Sequence, residues 1–141
     1  MKFVLDASVT LTWLLKDAAA REEAYPFAVL ASLGAASTAT VPMTWGLEIA
    51  NVIARCEAKG NVTEAQSESF LTLLAGIAIE VDQSTFAHVL SDTLQLARRY
   101  RLSSYDASYL ELAMRESAPL ATLDENLRRA AGKAGVKLFK P

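Results

Sequence analysis

Apolar and polar positions along the chain fall into short apolar runs that alternate with longer stretches of helical period. "KFVLD" (2–6) is an apolar run ending on Asp6 and predicts a strand; "ASVTLTWLLKD" (7–17) predicts a helix with Val9, Leu11, Trp13, Leu14 and Leu15 apolar. "REEAYPFAVLASLGA" predicts a helix, with Pro26 expected at its start rather than inside it. "STATVPM" is a second β-branched run that Pro42 ends. "TWGLEIANVIARCEAKG" then predicts a largely buried helix carrying Leu47, Ile49, Ala50, Ile53 and Ala54 and stopping at Gly60. Thr63 and Gln66 have capping-box spacing at the head of "TEAQSESFLTLLAG". "IAIEV" is a third strand, followed by the amphipathic "STFAHVLSDTLQLARRYRL" with Ser84 as its cap. "SSYDASYLELA" (103–113) predicts a helix burying Tyr105, Leu110, Leu112 and Ala113. "PLATLD" predicts a fourth strand, "ENLRRAAGKAG" a helix and "VKLF" a last strand.

Short apolar strands separated by helices imply a sheet covered on both faces, so the expected fold class is α/β, a three-layer α/β/α arrangement with a mostly parallel sheet. No linker, low-complexity tract or fixed-period repeat divides the chain, and one domain over residues 1–141 is expected. A chain of 141 residues folds without staples, burying roughly two thirds of its unfolded surface. Asp6 interrupts the N-terminal apolar stretch and no small-residue cleavage pattern follows; no apolar run approaches the ~18 residues of a membrane span. The expectation is therefore a cytoplasmic protein with no membrane partner. Lys plus Arg number 14 and Asp plus Glu 16, a formal charge of -2. Such a balance supplies no bulk attraction to polyanions, so any nucleic acid must be held by a local patch or through metal ions. Cys56 has no partner for an internal disulfide and lies among apolar residues, as a buried inert thiol would.

Asp6 and Asp124 each end a predicted strand and precede a helix. In open parallel sheets ligands bind outside the carboxyl ends of the strands, the rim where both would lie. Each also suits a helix N-cap, and Ser103 with Asp106 has the spacing of a capping box in which Asp replaces Glu. Glu48 differs, because an acid on so apolar a helix needs a partner or a wet cavity. Two carboxylates about 5 Å apart repel by roughly 3 kcal/mol at an effective dielectric near 20. If the acids meet, protons or a divalent cation must offset that repulsion. Oxygen ligands suit Mg²⁺ or Mn²⁺, whereas Zn²⁺ favours His or Cys, of which the chain has one each, His88 and Cys56, far apart in sequence. His88, inside an amphipathic helix, reads as structural or surface.

"VLDAS" with Asp6 and Ser8, "VPMTWGLEIANVI" with Glu48 and Asn51, "LSSYDASYLELA" with Asp106, and "LATLDENLRRAA" with Thr122 and Asp124 together resemble the PIN-domain ribonucleases, most of all their short VapC-type toxins. The likeness runs over essentially the whole chain in the family's order. It implies a PIN-like fold and a metal-dependent endoribonuclease in which Asp6, Glu48, Asp106 and Asp124 hold Mg²⁺ or Mn²⁺. It also implies a cognate antitoxin, a homodimer, and an RNA substrate with transfer RNA among the candidates. Metal-assisted phosphodiester hydrolysis needs neither a His base nor a nucleophilic Ser, which agrees with the residues present. The hydroxyls of Ser8 and Thr122 lie beside Asp6 and Asp124 and could orient those carboxylates; Asn51 shares a helix face with Glu48.

Arg98, Arg99 and Arg101 surround Tyr100, and Arg128 with Arg129 follow Asp124 by a turn. Both clusters could grip RNA phosphates, but cations in a helix's last turn also complement its dipole. Trp13 and Trp45 could stack on bases, although both fall in apolar helices that favour core or dimer packing. Three other classes compete: a non-catalytic phospho-acceptor or metal-binding module, a metal-dependent phosphatase, and a binder whose acids only cap helices. The first would use a mid-chain acid such as Asp82 and a late strand-end Lys, which has no convincing counterpart; the second would show two acids at alternate positions where "DAS" supplies Ser8.

Overall fold

The computed structural model describes residues 1–15 and 20–141; the end of the first predicted helix, at Lys16 and Asp17, lies outside them. Strands β1 (Lys2–Leu5), β2 (Thr38–Val41), β3 (Ile79–Val81) and β4 (Leu120–Ala121) form one sheet in the order β3-β2-β1-β4, with every pairing parallel. Helices α1 (Ala7–Thr12), α2 (Ala20–Leu33), α3 (Thr44–Ala58) and α4 (Glu64–Ala75) precede β3, and α5 (Thr85–His88), α6 (Leu94–Tyr100), α7 (Ser104–Arg115) and α8 (Glu125–Lys133) follow it.

Alternation along β1 builds the three layers. Phe3 and Leu5 enter a core with Val9, Trp13, Val29 and Phe70, while Val4 points the other way, among Tyr109, Leu110, Leu120 and Leu127. A strand of period two buried on both faces must read as a continuous apolar run, as "FVL" does. From β1 the chain builds outward to β2 and β3, then crosses over to add β4 on β1's other side. The connections thus switch direction between β1 and β4, and the rim outside those two strands is the favoured ligand crevice of such sheets.

Several local expectations change. "VKLF" forms no strand: it makes one parallel bridge, Leu120 to Leu138, because β4 offers only two residues to pair with. Pro26 lies inside α2, and its carbonyl accepts from Trp13 Nε1 at 2.8 Å. Ser84 occupies the N-cap of α5 without a side-chain cap bond; Thr85 next to it donates to Asp82 Oδ2 instead. The predicted helix over 84–102 contains a π-helical turn, Val89–Thr93, between α5 and α6. Only Ile49 of α3 is buried, and Leu47 is 76% exposed, so among the described residues one flank of α3 stays uncovered. Tyr105 is also exposed, while Ala107–Ala113 beyond it are buried throughout. Cys56 is half-buried and free. The Thr63–Gln66 capping box forms as expected.

Candidate functional site

Asp6 follows β1 directly, and its backbone N–H donates to Ala121 O at 2.9 Å, carrying the β1–β4 ladder one step past the strands. Asp6 is thereby held beside Thr122. Although it sits at the N-cap of α1, its carboxylate makes no capping bond. Its Oδ2 instead accepts from Ser8 Oγ and from Thr122 Oγ1, each at 2.6 Å. Both hydroxyls are themselves fixed: Ser8 Oγ accepts from Leu123 N and Thr122 Oγ1 from Asp124 N, each at 3.0 Å. Thr122 therefore orients Asp6 rather than the carboxylate of its neighbour Asp124. Asp6 is 4% exposed, and burial, with a further contribution from the charge on Asp124, raises its carboxyl above the usual range against the pull of these two donors.

Glu48 lies in the second turn of α3, which is pinned at its N-terminal end. Trp45 Nε1 donates to Thr10 Oγ1 of α1 at 3.1 Å, and the Thr44 and Ser108 hydroxyls join α3 to α7 at 2.9 Å. The buried Tyr109 hydroxyl donates to Glu48 Oε1 at 2.9 Å. Burial, then the charges of Asp6 and Asp106, push the Glu48 carboxyl up to about 7. Asp106 occupies the first turn of α7, where Ser103 Oγ accepts from its backbone N–H. Its carboxyl is raised by burial and by the charges of Asp6 and Asp124. Asp124 caps α8, accepting from Leu127 N at 2.8 Å through Oδ1.

The fold thus brings all four acids into one electrostatic neighbourhood at the switch point, from the ends of β1 and β4 and the starts of α3 and α7. They do not close into a tight cage: among the described residues, no three of them offer ligand atoms all within 4.8 Å of one another. Glu48, Asn51, Ser103, Tyr105 and Asp106 line an open hollow of about 520 Å³ on this rim. Asn51 is exposed there. A larger hollow, about 610 Å³ between Trp13, Cys56 and Phe70, has no carboxylate among the described residues of its lining. Chemistry and not volume locates the site.

The arginines divide. Arg128 is held internally: its Nε donates to Thr122 O at 2.8 Å and its guanidinium lies over the Tyr25 ring. Arg98, Arg99, Arg101 and Arg129 are exposed, with Arg99 against Tyr100. Arg101 and Arg129 line one shallow hollow of about 280 Å³ with Lys133. Trp13 and Trp45 pack against the core. Sequence reasoning missed Tyr109, although its position one helical turn after Asp106 is a readable signal.

The chain matches the family model described as PIN domain over residues 3–133. Similar solved structures include VapBC2 from Rickettsia felis bound to a DNA fragment from their promoter, at 13% identity and TM-score 0.67, covering 99% of this chain and 98% of that one. PAE2754 from Pyrobaculum aerophilum aligns at 19% identity and TM-score 0.63, over 92% and 87%. FitAcB from Neisseria gonorrhoeae aligns at 22% and 0.62, over 100% and 98%. No curated protein sequence matches the chain. At these identities the solved structures establish the fold, a mostly parallel α/β/α sheet of PIN type, and the family model establishes kinship: this chain belongs to the PIN-domain family.

Proposed function

We propose that this protein is a Mg²⁺- or Mn²⁺-dependent endoribonuclease and the toxin of a toxin–antitoxin pair, acting in the cytoplasm as a one-domain enzyme. PIN domains are nucleases generally. The observation that carries the reading is the shared electrostatics of Asp6, Glu48 and Asp106, whose carboxyls are all raised in part by acidic neighbours at one rim.

The donor set fits a hard dication. It is made of carboxylate oxygens alone, and its accumulated negative charge is what a divalent ion offsets. Asp6 and Asp106 would hold the metal, with Glu48 and Asp124 completing the pocket. A bound Mg²⁺ or Mn²⁺ supplies an activated water and charge neutralisation on the phosphate and leaving oxygen. Ser8 and Thr122 fix the rotamer of Asp6 through paired 2.6 Å bonds, and Tyr109 fixes Glu48. Glu48, titrating near neutrality when no ion is bound, is able to hold or release a proton at its Oε atoms. Arg101 and Arg129, with Lys133, form the local cationic patch that a chain of net charge -2 needs for RNA phosphates. Arg98 and Arg99 extend it along α6. Arg128 serves the fold through Thr122 O.

Protein partners have a surface to occupy. Met43, at the N-cap of α3, and Leu47 are one turn apart, Phe86 and Leu90 are one turn apart across the α5–π junction, and Met43 N donates to Thr85 Oγ1 between the two pairs. All four are more than half exposed. This apolar face suits a second copy of the chain, and the VapBC2 likeness supports an antitoxin as well. The phospho-acceptor alternative loses its acid: Asp82 receives two Arg115 donors at 2.7 and 3.1 Å and the Thr85 hydroxyl, and Arg115 holds its carboxyl down at about 2.

The test is RNA cleavage by the purified protein with Mg²⁺, with EDTA, and by Asp6→Asn. Cleavage present only in the first condition supports the reading. Cleavage that survives both EDTA and Asp6→Asn removes the metal mechanism.

A further inference from the structure

Among the described residues, the tightest cluster of metal-ligating side chains shares no residue with the acidic rim. His88, Asp92 and Glu111 each offer one donor atom, and these atoms all lie within 4.8 Å of one another. His88 Nδ1 is 2.9 Å from Asp92 Oδ2 and 3.4 Å from Glu111 Oε1. Neighbouring donors around an ion with bonds of roughly 2.0–2.1 Å stand about 2.9–3.4 Å apart, so both separations are already those of a coordination shell.

We propose that His88, Asp92 and Glu111 form a second metal site, for a borderline dication of the zinc type, distinct from the hard-cation basin of the rim. An imidazole nitrogen with two carboxylate oxygens is a ligand set that Zn²⁺ accepts and Mg²⁺ does not favour. A fourth position stays open towards a cavity of about 440 Å³ that these three residues line together with Arg115 and Arg99.

Three features of the structure converge on this assignment. Nδ1 carries at most one proton and so serves only one of the two carboxylate oxygens that face it; Glu111 Oε1 accepts from Arg115 Nε with one lone pair, which leaves its other lone pair for an ion. Glu111 is 4% exposed, and Arg115 fixes it in place, Nε to Oε1 at 2.8 Å and Nη2 to Oε2 at 3.2 Å. That is how supporting hydrogen bonds orient a ligating carboxylate. The charges facing the site are Asp82, Asp92 and Glu111 against Arg99 and Arg115, with Glu116 beyond them shared between Arg115 and Lys2, so the neighbourhood carries net negative charge that a dication offsets.

The backbone adds a further indication. His88 ends α5, and Asp92 lies on the π-helical turn Val89–Thr93. Such turns are rare and are frequently found at functional sites. An ion here would clamp this turn to α7, the helix whose first turn carries Asp106.

The experiment is Zn²⁺ titration of the full-length protein by calorimetry, after EDTA stripping and dialysis, in millimolar Mg²⁺ to occupy the acidic rim. Wild type is expected to bind one Zn²⁺ per chain. His88→Ala and Asp92→Asn should each weaken that binding at least tenfold, whereas Asp106→Asn should leave it unchanged. Asp92 is exposed, so its variant keeps the fold even if His88→Ala does not; circular dichroism checks both. Absence of Zn²⁺ binding in wild type overturns the assignment, as does Asp92→Asn binding Zn²⁺ like wild type or Asp106→Asn losing the ion.

Discussion

Asp106→Asn separates stability from activity, because the same charge that a metal needs is a cost to the metal-free fold. Without an ion, the substitution removes one of the charges that raise Glu48, and it removes the strained carboxylate itself. No three of the rim acids bring ligand atoms all within 4.8 Å. Two carboxylates about 5 Å apart repel by about 3 kcal/mol at an effective dielectric near 20. Asp106 is only half-buried, and solvent screening reduces the summed repulsion to about 1–2 kcal/mol. The lost charge in the first turn of α7 gives back about 0.5 kcal/mol of favourable helix-dipole interaction. A net gain near 1 kcal/mol remains, or about 3–4 °C in the unfolding midpoint for a chain of this size. Thermal unfolding followed by circular dichroism, in EDTA and in millimolar Mg²⁺, checks it. In EDTA the variant should melt above wild type; Mg²⁺ should raise wild type more than the variant, and RNA cleavage by the variant should vanish. A variant that melts below wild type in EDTA, or equal Mg²⁺ shifts for both proteins, would refute a shared acidic basin.

Thr122→Val deletes a donor to buried Asp6 and the acceptor of Asp124 N–H, which should cost about 1.5–3 kcal/mol in urea unfolding; an unchanged midpoint contradicts the bonding described. The pH dependence follows from Glu48, whose folded carboxyl is raised from 4.5 to about 7. Between those values the folded protein holds a proton that the unfolded chain has released, so Glu48's contribution to metal-free stability is fully present at about 4.5 and is lost as pH rises to about 7. Urea midpoints in EDTA across that window measure this, and a rise with pH would oppose it. Arg101→Ala and Arg129→Ala should weaken RNA binding and each lower the salt slope by about one, whereas Arg128→Ala should lower the melting temperature and leave that slope unchanged; filter binding at several salt concentrations distinguishes them.

Much of this architecture is legible in the residues. Asp6 and Asp124 end apolar runs, and a parallel sheet carries strand ends to one rim, so their meeting follows from topology alone. Glu48 stands out because an acid amid Trp45, Leu47 and Ile49 has no bland role. Pairing details were not legible: Thr122 is adjacent to Asp124 in sequence, but the β1–β4 register delivers its hydroxyl to Asp6. The apolar pattern of α3 predicted burial, but Leu47 is exposed among the described residues, because a helix's apolar period gives no account of which neighbours the fold sets against it. The π-helical turn left no mark in the apolar period. His88 likewise appeared isolated until folding set Glu111 of α7 against it.

The most direct measurement of the central claim is anomalous scattering from crystals of the protein grown with Mn²⁺. The account predicts a Mn²⁺ peak at the switch point, with carboxylate oxygens of Asp6 and Asp106 at roughly 2.1 Å and Glu48 and Asp124 facing the ion directly or through water. A rim without Mn²⁺ at saturating concentration, its four carboxylates directed apart, would contradict it.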